Sequence, residues 1–142
     1  KKLSLTLINQ LHQEMTKNLG VTTRIRKQAV GITGTAYRPL DNEHQIREAM
    51  EKMVVSINSN SAPIEKALIA NAMLAYIQPY SDGNKRTGRM LANAILMAYD
   101  YYPLSYRSVN ENEFKQSLIV FYEQQSIYHL KNTFEEKLRR LI

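Results

Sequence analysis

Apolar residues recur with a helical period in six stretches of this chain, and the period is lost in two. Leu3, Leu7, Leu11 and Met15 stand four residues apart with Ile8 alongside, which predicts a helix over 3–19, ended by Gly20 in the left-handed conformation. His12 on that helix reads as a surface or packing residue. Ile46, Met50, Val54 and Ile57 define a second helix reaching about residue 58, capped by Asp41 or Asn42, with His44 exposed in its first turn. Residues 64–77 are apolar on nearly every side and predict a buried central helix, opened by Pro63 and with Glu65 suited to its dipole. Met90, Leu91, Ala94, Ile95, Leu96 and Met97 predict a second buried helix that Pro103 bars from continuing. Ser108-Val109-Asn110-Glu111 has capping-box spacing and opens a helix carrying Phe114, Leu118, Ile119 and Phe121. A last amphipathic helix runs from about residue 127 with Tyr128, Leu130, Phe134, Leu138 and Leu141, and with His129 on its polar side. The expected fold is therefore all-α, a bundle of about six helices.

The two interruptions differ in kind. Over 21–40 the period is not helical: Val30 and Ile32 alternate with Gly31 and Thr33, and Gly34 can turn. That predicts a short β-hairpin at about 28–38. A two-stranded hairpin is marginal alone in water, so it must lean on the helices or pair with something else. The second interruption, Gln78-Pro79-Tyr80-Ser81-Asp82-Gly83-Asn84-Lys85-Arg86-Thr87-Gly88-Arg89, is polar and separates the two most apolar helices.

Each residue of that second stretch has an ordinary structural explanation, since Asp-Gly-Asn is a common turn and cations on a helix are usually a solvated face. Their combination fits a phosphate site. Gly83 and Asn84 precede a helix start, where free N–H groups and the positive dipole end favour anions. Arg86 and Arg89 are three apart and can share one side of the new helix, and arginine binds phosphate through a planar fork. Asp82 is a hard oxygen ligand suited to Mg²⁺, which takes one or two carboxylates plus substrate phosphates. The stretch is neither a Walker A loop nor a dinucleotide-binding fingerprint.

It resembles the Fic motif, His-x-Phe-x-Asp/Glu-Gly-Asn-Gly-Arg-x-x-Arg, of Fic-domain nucleotidyltransferases. The match holds at Asp82, Gly83, Asn84, Arg86 and Arg89, with Tyr80 standing in for Phe. Gln78 stands where the family has its His, and Lys85 where most members have a second Gly; Asn-Lys-Arg at that place is similar to the Doc toxin branch. The resemblance implies a Fic-type domain over 1–142: an N-terminal helix (1–20), a flap hairpin (about 28–38) and a helical core (41–142). It implies transfer of AMP from ATP, with Mg²⁺, to a Ser, Thr or Tyr hydroxyl of a target protein. Asp82 would hold Mg²⁺; Gly83, Asn84, Lys85, Arg86 and Arg89 would bind the phosphates. Ile32, Thr33, Gly34 and Thr35 of the flap would hold the target as an added strand. Gln78 occupies the place of the general base. A neutral amide cannot take a proton near neutral pH, which predicts impaired transfer. A binding module without chemistry and a Doc-like phosphotransferase are the alternatives. An inhibitory Ser/Thr-x-x-x-Glu-Gly/Asn motif, which clamps many members, does not occur in this sequence, so an inhibitory segment or antitoxin would come from elsewhere.

Composition narrows the setting. The chain has 142 residues, 44% hydrophobic and 23% charged, which suits one domain with one core. With no cysteine there is neither a disulfide framework nor a thiolate metal site, and a reducing cytoplasmic location is the expectation. The net charge of +6 is spread along the chain without a nucleic-acid motif; it suits a nucleotide or an acidic partner at least as well as nucleic acid, so a basic nucleic-acid binder is the weaker alternative and no specific nucleic acid is expected. The apolar runs are too short and too interrupted for a signal peptide or a membrane span, so no membrane partner is expected. A homodimer is left open.

Overall fold

The computed structural model describes residues 2–105 and 111–124. Five helices follow in order: α1 (Leu5–Met15), α2 (Glu43–Ser59), α3 (Pro63–Ile77), α4 (Asn84–Ala98) and α5 (Glu111–Gln124). Among the described residues there is no strand, and no helix is long and apolar enough to cross a membrane. The predicted helix from about residue 127 and the capping-box residues Ser108, Val109 and Asn110 lie outside the described residues, so five of the six expected helices are placed.

The central helix is α3. Pro63 sits in its first turn, and nine of its fifteen residues are buried. A helix apolar on all sides must be covered on all sides. Two clusters do this: Ile8, Ile46, Met50 and Leu91 lie in the one containing Leu74 and Ile77; Leu96, Leu104, Leu118 and Tyr122 lie in the one containing Ala72 and Ala75. The closest approach is to α4, at Gly88. A Cβ there would lie 3.3 Å from Leu74 Cβ and 3.4 Å from the Asn71 carbonyl, so a larger residue would press the two helices apart by a few tenths of an ångström.

Asn42 caps α2, its side chain accepting from the His44 and Gln45 N–H groups at 2.9 and 3.2 Å. Ile46, Met50, Met53 and Ile57 form its buried stripe. At the far end the buried Lys66 ammonium donates to the Ile57 carbonyl at 2.7 Å, placing a cation at the negative end of α2.

Two helices depart from expectation in phase and extent. The first ends at Met15, not near residue 19: Thr16 leaves helical geometry as the C-cap (φ −104°, ψ 8°) while its N–H and hydroxyl still bond the His12 carbonyl, and the chain turns at Asn18 (φ 66°) before the left-handed Gly20 (φ 71°). Its buried face is Ile8, His12 and Thr16, while Leu7 is exposed, so the stripe is one residue out of phase with the leucine repeat. On α4, Met90, Ala94 and Met97 are exposed and only Leu91, Ala92 and Leu96 among the apolar residues are fully buried. That helix is amphipathic rather than buried.

Candidate functional site

The site is the turn between α3 and α4 together with the segment facing it. Gln78 ends α3 in a left-handed conformation (φ 51°, ψ 59°), and its N–H bonds the Leu74 carbonyl. The chain then turns over Pro79–Asp82 and re-enters a helix through Gly83, whose φ of 83° suits glycine. Asn84 ties this turn. Its side-chain amide donates to the Tyr80 carbonyl at 2.8 Å and the Gln78 Oε1 at 3.1 Å, and its Oδ1 accepts from the Tyr80 N–H at 2.8 Å. The side chain of Asn84 is thus committed to the fold, and what it offers a ligand is its backbone.

Gln78 is nearly buried, and both ends of its amide are engaged: Oε1 by Asn84, and Nε2 by donation to the Ala75 carbonyl at 2.9 Å. The Asp82 carboxylate is exposed, and its Oδ1 accepts from the Gly83 N–H at 2.8 Å, leaving its other oxygen for a ligand. No side chain caps the first turn of α4, and none of its residues is acidic. An uncapped first turn keeps N–H donors and the positive dipole end for an anion.

Facing the turn is the segment over 28–38. It holds a turn at Thr33 and Gly34, with Gly34 at φ 91°, but not the expected hairpin ladder. Residues 30–34 make no backbone–backbone hydrogen bond among the described residues. Side chains hold the segment instead. The Tyr37 hydroxyl donates to the Tyr76 carbonyl at 2.9 Å, and its ring stacks on Tyr76 at 4.5 Å. The Thr35 hydroxyl donates to Glu123 Oε1 at 2.9 Å, and Ile32 packs on the core. Anchored this way, the segment does not need a ladder.

Between the two lies a cavity of about 520 Å³, lined by Val30, Gly31, Ile32 and Thr33 on one side and by Gln78, Ser81, Asp82, Gly83, Asn84, Lys85, Arg86 and Arg89 on the other. Its size is in the range of small-molecule sites. Three cations face one carboxylate. Every residue expected at the phosphate and metal positions lines it; of the four expected flap residues Ile32 and Thr33 do, whereas Thr35 is turned to Glu123 on α5 and a Cβ on Gly34 would contact Ile119 there. His44 is exposed on α2 and does not line the cavity, and His129 lies outside the described residues.

Two residues that support the turn escape sequence reasoning. Arg26, 2% exposed, donates through Nε to the Gln78 carbonyl, through one terminal nitrogen to the Gln28 carbonyl at 2.9 Å, and through the other to the Leu40 and Ile77 carbonyls. His12 is fully buried, stacked on Tyr80 at 3.7 Å, with Nε2 2.9 Å from the Asp82 carbonyl. A carbonyl only accepts, so Nε2 carries the proton and donates, and Nδ1 is an acceptor with no hydrogen-bond partner among the described residues. The only sequence signal for His12 is its spacing of four from both Ile8 and Thr16.

Burial pushes the His12 pKa below its ordinary 6.5, against the opposing pull of Asp82. The unfolded chain therefore binds this proton more readily than the folded one. Stability from this group is full above about pH 6.5 and falls as the pH drops below that value. Denaturant midpoints measured between pH 7.5 and 5 should decline more steeply in the native protein than in His12→Gln. Parallel profiles would remove His12 as the cause.

A family model for the Fic/DOC family matches residues 2–96, about two thirds of the chain. The chain belongs to the Fic/DOC family. Over 123 residues this Fic chain is 28% identical to protein adenylyltransferase fic-1 of Caenorhabditis elegans, covering 84% of the chain and 24% of that protein. Over 56 residues it is 41% identical to protein adenylyltransferase Fic of Nematostella vectensis, covering 39% of the chain and 13% of that protein. It thus spans about a quarter or less of the length of these relatives. Its fold is similar to that of Fic-1 (residues 134–508) from C. elegans, with a TM-score of 0.78 at 24% identity over 98% of this chain and 41% of the other. It is also similar to BepC, a VirB-translocated effector protein of Bartonella tribocorum with AMPPNP bound: TM-score 0.76, 15% identity, 92% of this chain and 72% of that one.

Proposed function

We propose that this Fic domain binds ATP in the cavity between 30–33 and 78–89 and transfers AMP to a Ser, Thr or Tyr hydroxyl of a target protein. The observation that carries this reading is one cavity that joins the cationic start of α4, the Asp82 carboxylate and a segment, 30–33, with no backbone–backbone hydrogen bond among the described residues. Such a segment can take an extended target chain as an added strand, with little demand on its sequence. The adenylyltransferase relatives and the AMPPNP held by BepC point to the same substrates.

In this reading the uncapped N–H groups after Gly83, with Lys85, Arg86 and Arg89, hold the phosphates and neutralise charge as it shifts. The target oxygen bonds to the α-phosphorus, the bond to the pyrophosphate oxygen breaks and pyrophosphate leaves, and the hydroxyl proton passes to water, since the amide at position 78 cannot take it. Asp82 suits Mg²⁺: one exposed carboxylate, and no group of three or more His, Cys, Asp or Glu side chains able to cage a metal among the described residues. That donor set fits an ion that arrives with nucleotide phosphates and keeps its waters. When bound, the ion would neutralise phosphate charge.

Binding without transfer is the second reading, favoured by one observation: the amide at position 78 is held at both ends and has no group able to take the proton. Lys85 keeps γ-phosphate transfer as a variant of the enzymatic reading. Calorimetry with ATP and Mg²⁺ tests the shared premise. Arg89→Ala should weaken binding roughly tenfold or more, as expected for a charge-assisted contact to phosphate. If the native protein binds no nucleotide at millimolar concentration, the premise is wrong.

A further inference from the structure

Beside the main cavity lies a second, of about 170 Å³, lined by Thr22, Arg24, Ile25, Arg26, Lys27, Gln28 and Ser81. Ser81 also lines the main cavity, so the two adjoin. The smaller one is below the size of a ligand pocket but has room for one side-chain head group.

Its charge is one-sided. Arg24 and Lys27 are exposed and make no hydrogen bond or ion pair among the described residues. Arg26, which also lines it, is buried, and its hydrogen bonds among the described residues run only to main-chain carbonyls, which satisfy its donors without cancelling its charge. Asp41 is the carboxylate that acts on it, and does so without a salt bridge. A buried cation facing a small cavity rimmed by two more cations favours an anion there.

The position of the cavity indicates where the anion comes from. Its wall ends at Gln28, and the unpaired segment that lines the main cavity begins at Val30. An extended chain advances about 3.3 Å per residue. A target strand laid along 30–33 therefore reaches this cavity within a few residues of the hydroxyl it presents.

We propose that the 24–28 cavity is a subsite for an anionic side chain, carboxylate or phosphate, flanking the target hydroxyl. This rests on the reading of 30–33 as the target-binding segment. It makes acidic or phosphorylated protein segments the substrate class of this domain.

The test uses fluorescent peptides with one central Ser, Thr or Tyr, carrying Glu, phosphoserine or only neutral residues at the flanking positions. Binding is measured to the native protein and to the Arg24→Glu, Lys27→Glu double variant. The native protein should bind the best Glu or phosphoserine peptide roughly tenfold tighter than the neutral one, as for a close charge pair. Which of the two binds better identifies the anion. The double variant should lose that preference and favour peptides with Lys at the same position, with ATP affinity unchanged. Equal binding of acidic and neutral peptides by the native protein overturns the proposal, as does a preference that survives the double reversal. A mixed-sequence single-stranded oligonucleotide is run alongside. If it is bound, salt-sensitively and through the same two cations, while peptides are not discriminated, the surface is a nucleic-acid one. Absence of ATP binding with acidic preference intact would instead fault the nucleotide reading alone.

Discussion

Gln78→His should raise group transfer by roughly 10²–10⁴, the range for a positioned general base. Every other role has a candidate in the cavity: a carboxylate for the ion, uncapped N–H groups and three cations for phosphates, and an open segment for the target. The backbone at position 78 favours the exchange. It is left-handed, a conformation in which histidine is enriched among non-glycine residues and glutamine is not. The exchange gives up the hydrogen bond to the Ala75 carbonyl and the contact from Asn84, but Asn84 keeps both of its bonds to the Tyr80 backbone, so the turn keeps its tie. An imidazole works as a base when neutral, so the rate of the variant should rise with pH through the histidine range while the native rate stays flat. Labelled AMP and, separately, γ-phosphate transfer to one protein target by both forms is the measurement. If the histidine form transfers neither group faster, Lys85 is the next obstacle to examine. Rapid transfer by the native protein would mean that another base serves the site.

What could be read in the sequence follows the range of the interactions. Residues 63–77 announce a covered helix because composition alone carries that information, and Pro79 with Asp82-Gly83-Asn84 marks the break and restart because turn chemistry is local. The cavity-lining residues around the start of α4 are legible because all lie within twelve positions of one another and fall on a known pattern. The alternation of Val30 and Ile32 with Gly31 and Thr33 marks this stretch as non-helical, but the hairpin ladder it predicts is absent among the described residues and its anchoring is not encoded locally. The Thr35 contact to Glu123 spans 88 residues, and no local pattern encodes it. The same holds for His12 and Asp82, 70 apart, and for Arg26 and Gln78, 52 apart. The phase of α1 is not legible in the sequence, because leucines at 3, 7 and 11 outweigh Ile8 and His12 in any count of apolar residues, whereas the buried face is decided by what α1 meets: the Asp82–Gly83 turn. A Cβ on Gly83 would lie 3.1 Å from Thr16 Cγ2, which is how closely the two are packed.

The largest loss of stability should come from Arg26→Met. The side chain is 2% exposed, and its guanidinium serves four carbonyls that belong to two structures. Ile77 and Gln78 are at the negative end of α3, where a cation is favoured. Gln28 and Leu40 stand twelve residues apart at the two ends of the segment that walls the cavity, so the guanidinium closes the neck of that loop. Methionine fills similar volume and keeps the apolar contacts, which isolates the loss of donors. Several carbonyls are then left at least partly buried without a partner, at roughly 1–3 kcal/mol for each that water cannot reach. A total near 3 kcal/mol would lower the melting temperature by on the order of 10 °C in a domain of this size. Arg26→Lys should recover only part, because three donors on one nitrogen cannot fan out to carbonyls on opposite sides as the planar fork does. The loop should also loosen beyond the general destabilisation. At a temperature where both proteins are folded, protease should cut within 27–40 faster in Arg26→Met than in a core variant such as Leu96→Ala matched for melting temperature. A methionine form that melts with the native protein would show that water replaces the guanidinium at little cost. Equal cutting in the matched pair would show that the neck of the loop is held by Tyr37 and Thr35 rather than by Arg26.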